Sequence, residues 1–327
     1  MTTVLLATAC VFGTAAVVSG DTYLVGPDSP DDIQALLDDV IVDGDIIQLE
    51  AGRYLIETTI DPRGLAVILR GVVDEDGTPL SILDGRGATR VMNCLVGEGP
   101  DTVFENLVVT GGSTPSGGGG LFNFMGSSPT LINCLFTGNR ADNGGGLFNW
   151  IDCSPKLVDC AFIGNTASTG GAMNNFTDCN PTMTGCTFTG NTALAGGAGG
   201  GLFNYGGSVP ILVDCVITDN ALLGGASGGG MYNFYGPGAV LSGTTVCGNV
   251  PDQISGNWTD EGGNTVREEC LDTCPSDLDG DGLVDGEDLT TLLGDWGMTG
   301  GASDLDGDGL VDGADLVIVL ASWGACP

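Results

Sequence analysis

The 327-residue sequence has no histidine, and its 8 Lys+Arg face 42 Asp+Glu, a formal net charge of −34. The missing imidazole removes any site in which clustered aspartates work with a histidine as acid–base partner. With so few cations, the chain repels nucleic-acid phosphates and anionic lipid, and it attracts divalent cations. Beyond residue 20 no apolar run is long enough to span a membrane. The 58 glycines follow no strict three-residue period, which excludes a collagen-like triple helix. Disorder is excluded as well, because 42% of the residues are hydrophobic and the glycines alternate with Leu, Phe and Val. A fold with many turns per residue remains.

Residues 1–20 read as an export signal. The apolar stretch "VLLATACVFGTAAVV" runs into small residues, with cleavage expected after Ala16 or Gly20, although no Lys or Arg precedes it. The chain is therefore expected to be secreted or at the cell surface, with no transmembrane segment. Eleven of its 12 cysteines lie beyond the signal. Export permits disulfides, but most of these cysteines have another explanation.

Between Gly117 and Asn249 the chain repeats itself. The phrases "GGGLFNF", "GGGLFNW", "GGAMNNF", "GGLFNY" and "GGMYNF" are each followed by a second phrase such as "LINCLFTGN" or "LVDCAFIGN". The closing asparagines Asn139, Asn165, Asn191, Asn220 and Asn249 are spaced 26, 26, 29 and 29 residues apart. A fixed period of this length means stacked units that cannot bury an apolar face alone. The segments are short, β-branched or aromatic, and bounded by Gly, Asn, Pro and Asp, which excludes helical repeats. Each unit then forms one coil of a parallel β-solenoid, and equivalent residues form ladders. Cys134, Cys160, Cys186 and Cys215 share one position. Phe136, Phe162, Phe188 and Ile217 follow two residues later, and Leu131, Leu157, Met183 and Leu212 precede by three. These three sets are expected to point inward, so the stacked cysteines are buried small hydrophobes rather than disulfides or metal ligands. Asn123, Asn149, Asn174, Asn204 and Asn233 are expected to form a hydrogen-bonded turn ladder. The insertions in "ALAGGAGGG" and "ALLGGASGGG" lengthen one turn and leave the core frame intact.

The pattern "GGGLFNF…SSPTLINCLFTGNRA" resembles the right-handed parallel β-helix family, the pectate-lyase-like fold, and is similar to the GGA[IL] and FxxN repeats of polymorphic outer-membrane proteins. The resemblance covers about residues 21–264. "SPDDIQALLDDV" looks like the N-terminal cap of that family: a short helix with Ser29 as N-cap, Pro30 in its first position, and a stripe of Ile33, Leu36, Leu37 and Val40 that plugs the open core. Enzymes of the family include lyases, with an acidic calcium cluster and a basic proton abstractor, and hydrolases, with clustered Asp near a His. The hydrolase pattern has no histidine here. A lyase would need Arg140 or Lys156, the two basic residues in the regular coils, beside acids such as Asp142, Asp152, Asp159 and Asp178. The repeat already accounts for several of these: Asp159 and Asp214 share a turn position, as do Asp152 and Asp178. No catalytic residue is assigned. Phe124, Trp150, Tyr205 and Phe234 each follow the turn Asn of a coil. Pointing outward, they either cover the sheet or offer a stripe on which sugars stack.

Past Val250 the repeat dissolves, and a linker is expected over residues 265–276. "DLDGDGLVDG" then occurs twice, at Asp277–Gly286 and Asp304–Gly313. With Asp277 as position 1, Asp279, Asp281, Leu283, Asp285 and Asp288 fall at positions 3, 5, 7, 9 and 12; in the second copy these are Asp304, Asp306, Asp308, Leu310, Asp312 and Asp315. This is the frame of an EF-hand calcium loop, with Leu283 and Leu310 offering backbone carbonyls. Each loop is followed by one helix and preceded by none. Two such units with Asp at position 12 resemble a type I dockerin over residues 277–327. The resemblance implies two Ca2+ ions and a cohesin-like or cell-surface protein partner. Positions 10 and 11, often Ser-Thr in that family, are Gly286-Glu287 and Gly313-Ala314, so the partner choice departs from the family. Cys274 and Cys326 bracket the module and are placed to clasp its ends. The expected whole is an all-β right-handed parallel β-helix with an N-terminal capping helix, followed by a small helical calcium-binding domain. It binds polysaccharide or a surface, with a polysaccharide lyase as the alternative.

Overall fold

The computed structural model describes residues 20–224, 227–270, 274–279 and 283–325. The expected export signal, the loop ligand Asp281 and Cys326 lie outside the described residues. The chain divides into two compact units, Met1–Glu268 and Glu269–Pro327.

The first unit is a parallel solenoid built on sheets of ten, nine, seven and four strands. One coil runs through the strands Leu121–Phe124, Thr130–Ile132, Leu135–Thr137 and Arg140–Asn143. The next coil pairs with it in register: Leu121 lies opposite Leu147, Leu131 opposite Leu157, Phe136 opposite Phe162 and Arg140 opposite Thr166. The strands are short because left-handed residues bend the chain at fixed corners. Between the ten- and nine-stranded sheets the corner residue is Asn106, Asn133, Asp159, Gly185, Asp214 and Gly243, with φ between 48° and 64°. Asn, Asp and Gly are the residues that tolerate this region. Glycine is required where coils approach most closely: a Cβ on Gly145 would lie 2.5 Å from the Gly171 oxygen, and one on Gly146 would lie 2.8 Å from the Phe162 ring. The first insertion is absorbed in the four-stranded sheet, where the register shifts between Ala167 and Thr169.

The three inward rows are buried as their spacing predicts. Phe136, Phe162 and Phe188 stack with centroids 4.8 and 5.0 Å apart and planes within 8°, which matches the roughly 4.8 Å rise of one coil. Cys134, Cys160, Cys186 and Cys215 are buried free thiols, and each Sγ donates to the carbonyl two residues before it.

Two asparagine ladders run through the solenoid. In one, Asn139, Asn165, Asn191, Asn220 and Asn249 each pass an amide hydrogen bond to the next at 2.9–3.0 Å. Gln253 terminates this ladder, its Oε1 accepting from Asn249 Nδ2 at 2.8 Å. The other ladder corrects the sequence reading by one residue. It runs Asn123, Asn149, Asn175, Asn204 and Asn233 at 2.7–2.9 Å, with Asn175 rather than Asn174 in frame. Its ends are open: Asn123 Oδ1 and Asn233 Nδ2 are buried without a partner.

Helix α1, Asp31–Asp39, covers the N-terminal end of the core. Ile33 and Leu37 are buried, and Leu36 packs against the cluster. Two expectations change. The helix starts after Pro30 with no side-chain cap; Ser29 contributes its backbone oxygen to Asp32 N–H instead of its hydroxyl. Val40 is exposed and Ile41 is buried in its place, because the helix ends before Val40 and the chain turns there. At the other end, the strand Thr265–Arg267 extends the nine-stranded sheet past Asn264. Among the described residues no helix is long and apolar enough to cross a membrane.

The second unit holds helices α2, Gly286–Gly294, and α3, Gly313–Ala321. Val284, Leu292, Val311, Val319 and Cys274 form its core. Its two halves clasp each other reciprocally. Leu283–Val284, which enters α2, pairs antiparallel with Gly324–Ala325, which follows α3. Val311, which enters α3, exchanges backbone hydrogen bonds with Gly297 and Met298, which follow α2. Cys274 is disulfide-bonded, as are Cys247 and Cys270.

Candidate functional site

The seven-stranded sheet carries two outward rows that are mostly aromatic. Along Leu121–Phe124 alternate residues point inward, where Leu121 and Asn123 are buried, and outward, where Phe122 and Phe124 are partly exposed. Stacking of coils turns each outward position into a row. One row is Phe124, Trp150, Phe176, Tyr205 and Phe234; the second is Phe122, Phe148, Asn174, Phe203 and Tyr232. The sequence-predicted residues Phe124, Trp150, Tyr205 and Phe234 are thus brought together. Phe176 and the whole second row were missed. The signal was present: aligning "GGAMNNF" on its final Phe rather than its first Asn puts Phe176 and Asn175 in frame.

The rings pack from coil to coil in two groups, one ending at Trp150 and the next starting at Phe176. Phe122–Phe148 centroids are 5.4 Å apart, Phe124–Trp150 5.0 Å, Phe176–Tyr205 4.5 Å and Tyr205–Phe234 5.9 Å. Trp150 and Phe234 are 38% and 39% exposed, enough to present a face to a ligand. A groove of about 490 Å3 opens between these rings and the four-stranded sheet, lined by Phe122, Phe148, Trp150, Phe176, Asn143 and Ser116 among others. Arg90 lies over Phe122 at 4.7 Å. Its guanidinium donates to Ser116 Oγ and to the Gly117 and Gly118 oxygens. Asn143 Oδ1 accepts from Thr169 Oγ1 at 2.6 Å, and Thr169 accepts from Asn174 Nδ2 at 2.9 Å. Asn174 Oδ1 is buried without a partner. Directly after the two most central rings, Ile151 and Thr177 sit at φ 65° and 67°, a costly conformation for β-branched residues.

Of the acids considered for a lyase site, Asp142 lies in the strand Arg140–Asn143 and the others sit at turns, as the repeat reading has them. Asp152 and Asp178 (φ 58° and 55°) and Asp159 (φ 51°) are left-handed corner residues. Arg140 and Lys156 are both exposed, and neither forms a salt bridge among the described residues. The four salt bridges there use Arg53, Arg63, Arg70 and Arg86.

In the C-terminal unit, carboxylate oxygens of Asp277, Asp279 and Asp288 lie within 4.8 Å of one another, as do those of Asp304, Asp306 and Asp315. Positions 1, 3 and 12 of each loop therefore converge. Asp288 Oδ1 accepts from Leu278 N–H at 2.6 Å and its Oδ2 from Asp285 N–H at 2.7 Å; Asp315 does the same with Leu305 and Asp312. Burial pushes the Asp288 carboxyl up, but the N–H groups of Asp285, Leu278 and Asp279 outweigh it and hold the pKa below its ordinary value. For Asp315 the Asp312 N–H is the largest influence, against burial, and the pKa is again lowered. Asp285 and Asp312 at position 9 do not join the trios. They cap α2 and α3, accepting from Glu287 and Ala314 N–H at 2.8 Å, each completing a capping box with Asp288 or Asp315. Asp308 accepts from the Leu310 N–H. Leu283 is in the short strand pair, and Leu310 is exposed. The donor set suits a hard cation with oxygen ligands. Asp304 Oδ1 is buried with no hydrogen-bond partner, so one carboxylate oxygen of the second trio is left for such a ligand.

Comparison with known proteins agrees with this architecture. Residues 91–250 match the family model described as right handed beta helix region. The chain carries a right-handed β-helix repeat. The crystal structure of pectate lyase Pel9A is similar at 15% identity and a TM-score of 0.50, over 76% of this chain and 68% of that one; at this identity the likeness is one of fold. A mannuronic acid specific polysaccharide family 6 lyase from human gut microbiota aligns over 73% of this chain and 83% of that one at 10% identity, with a TM-score of 0.30. No curated protein matches the sequence.

Proposed function

We propose that the chain is an exported β-helix protein that binds polysaccharide through the aromatic face of its seven-stranded sheet and is tethered through a calcium-dependent, dockerin-like C-terminal unit. The observation that carries this reading is the double aromatic row with Trp150 and Phe234 partly exposed. Aromatic faces suit the C–H faces of pyranose rings, and a stacked row repeats that match along a chain. The fold likeness to a pectate lyase supports a polysaccharide ligand. The alternative, cleavage by a lyase mechanism, needs a basic group within hydrogen-bond reach of an acidic cluster. The exposed, unbridged Arg140 and Lys156 and the corner role of the nearby acids favour binding over cleavage.

In the tail, Asp277, Asp279 and Asp288 would hold one Ca2+, and Asp304, Asp306 and Asp315 the other. Ca2+ would supply positive charge and a centre for oxygen coordination, relieving repulsion among carboxylates that otherwise oppose the fold. Asp285 and Asp312 start the helices, and Val284 and Val311 seat the loops on the shared core. The clasped pair then offers one rigid surface to a cohesin-like or cell-surface protein. Retention of the full-length chain on immobilised polysaccharides, with an assay for unsaturated products, tests the solenoid. Release of unsaturated sugars would replace the binder with the lyase.

A further inference from the structure

We infer that the aromatic groove takes an uncharged polysaccharide, laid along the solenoid axis, and rejects polyuronates. This rests on the polysaccharide reading proposed above and narrows it. None of the residues lining the groove carries a charge. The cation beside it, Arg90, has Nε and Nη2 committed to Ser116, Gly117 and Gly118 and its plane to the Phe122 ring, so a bidentate grip on a carboxylate through the Nε–Nη2 edge is closed to it. The exposed charges next in the chain to lining residues are mainly acidic: Asp142 precedes Asn143, and Asp152 and Asp178 follow Trp150 and Phe176 by two residues. Arg140 is the opposing charge there, against a chain at −34 overall. A polymer with a carboxylate on every sugar meets repulsion at long range and no compensating ion pair at contact.

A neutral chain meets the opposite. The rings of Phe122, Phe148, Trp150 and Phe176 supply the apolar platform. With Asn143 Oδ1 held by Thr169, the Asn143 amide N–H groups are left as donors toward sugar hydroxyls. The rise of one coil, about 4.8 Å, is close to the length of one pyranose unit in an extended chain. A polymer along the axis therefore meets a new ring at each step. Uncharged contacts of this kind are insensitive to salt, whereas a polyanion held by ion pairs is released as salt rises, and one merely repelled is repelled less.

The test is affinity electrophoresis of the full-length protein, in calcium, through gels containing hydroxyethyl cellulose, galactomannan, polygalacturonate or alginate, at low and high salt. Retention by a neutral glycan, unchanged by salt, with Trp150→Ala weakening it at least tenfold, is the expected result. The unmodified protein alone decides the glycan class, so the answer does not depend on how the variant folds. Retention by polygalacturonate or alginate and not by the neutral gels overturns this inference and leaves the polysaccharide reading standing. Free migration through all four gels overturns both.

Discussion

The solenoid and the C-terminal unit are held together in opposite ways. The solenoid stacks identical neutral groups. Phenylalanine rings lie on phenylalanine rings, and asparagine amides close on asparagine amides, from coil to coil. Each coil satisfies the next, so stability is spread along the axis. The tail concentrates charge instead. Residues 269–327 contain fourteen Asp and Glu and no Lys or Arg, around a core of a few residues from Cys274 to Val319. No side chain within this unit can neutralise those carboxylates. One unit carries its own complement; on the calcium reading proposed above, the other takes it from solution.

The largest expected effect separates the two units outright. Chelator removes the helical signal of α2 and α3 and leaves the β signal of the solenoid in circular dichroism; an unchanged helical signal would refute the calcium assignment. Next, Phe162→Ala empties the middle of the ring stack and costs the solenoid about 3–5 kcal/mol. Urea unfolding should report that loss while calcium binding by the tail stays as it was. Asn165→Ala leaves the groups that Asn165 now pairs, including Asn139 Nδ2 and the Phe136 oxygen, unsatisfied, at about 2–3 kcal/mol. A change under about 1 kcal/mol would show that the amide ladder is decorative.

Acid should act on the tail first. The carboxyls of Asp288 and Asp315 have folded pKa values below their ordinary ones. The stability they contribute is fully present above the unfolded value, near pH 4, and is lost as pH falls through the folded values. Calcium affinity should fall in the same window, since the same carboxylates must be ionised. A tail whose helical signal survives that window in calcium would break this link. The smallest effect is local. Ile151→Gly relieves a β-branched residue at φ 65° and should change solenoid stability by about 1 kcal/mol or less, in the stabilising direction.

Much of the solenoid was legible because its period is a physical repeat. A ladder position read as Cys134, Cys160, Cys186 and Cys215 in the sequence is the same ladder in space. The slip at Asn174 arose where the repeat carries two asparagines in succession and only the strand register chooses between them. Ser29 and Val40 were misassigned because helix ends depend on where the chain turns, which periodicity does not encode. The acidic loops were legible as a motif, and the convergence of positions 1, 3 and 12 follows from it. The capping role of Asp285 and Asp312 was not, since the helix begins immediately after position 9 and its free N–H groups take that carboxylate. The aromatic groove is the least legible feature. It depends on two rows from three successive coils and on the four-stranded sheet beside them, and no single segment contains it.

The contrast between the units is tested most directly by titrating calcium into the chelator-stripped full-length chain, with calorimetry and far-UV circular dichroism read together. The expected result is two Ca2+ bound per chain, a gain of helical signal, and a β signal that is constant from the stripped to the loaded state. Absence of binding, or a β signal that collapses on stripping and returns with calcium, would contradict the division between a self-sufficient solenoid and a tail that needs its counter-ion.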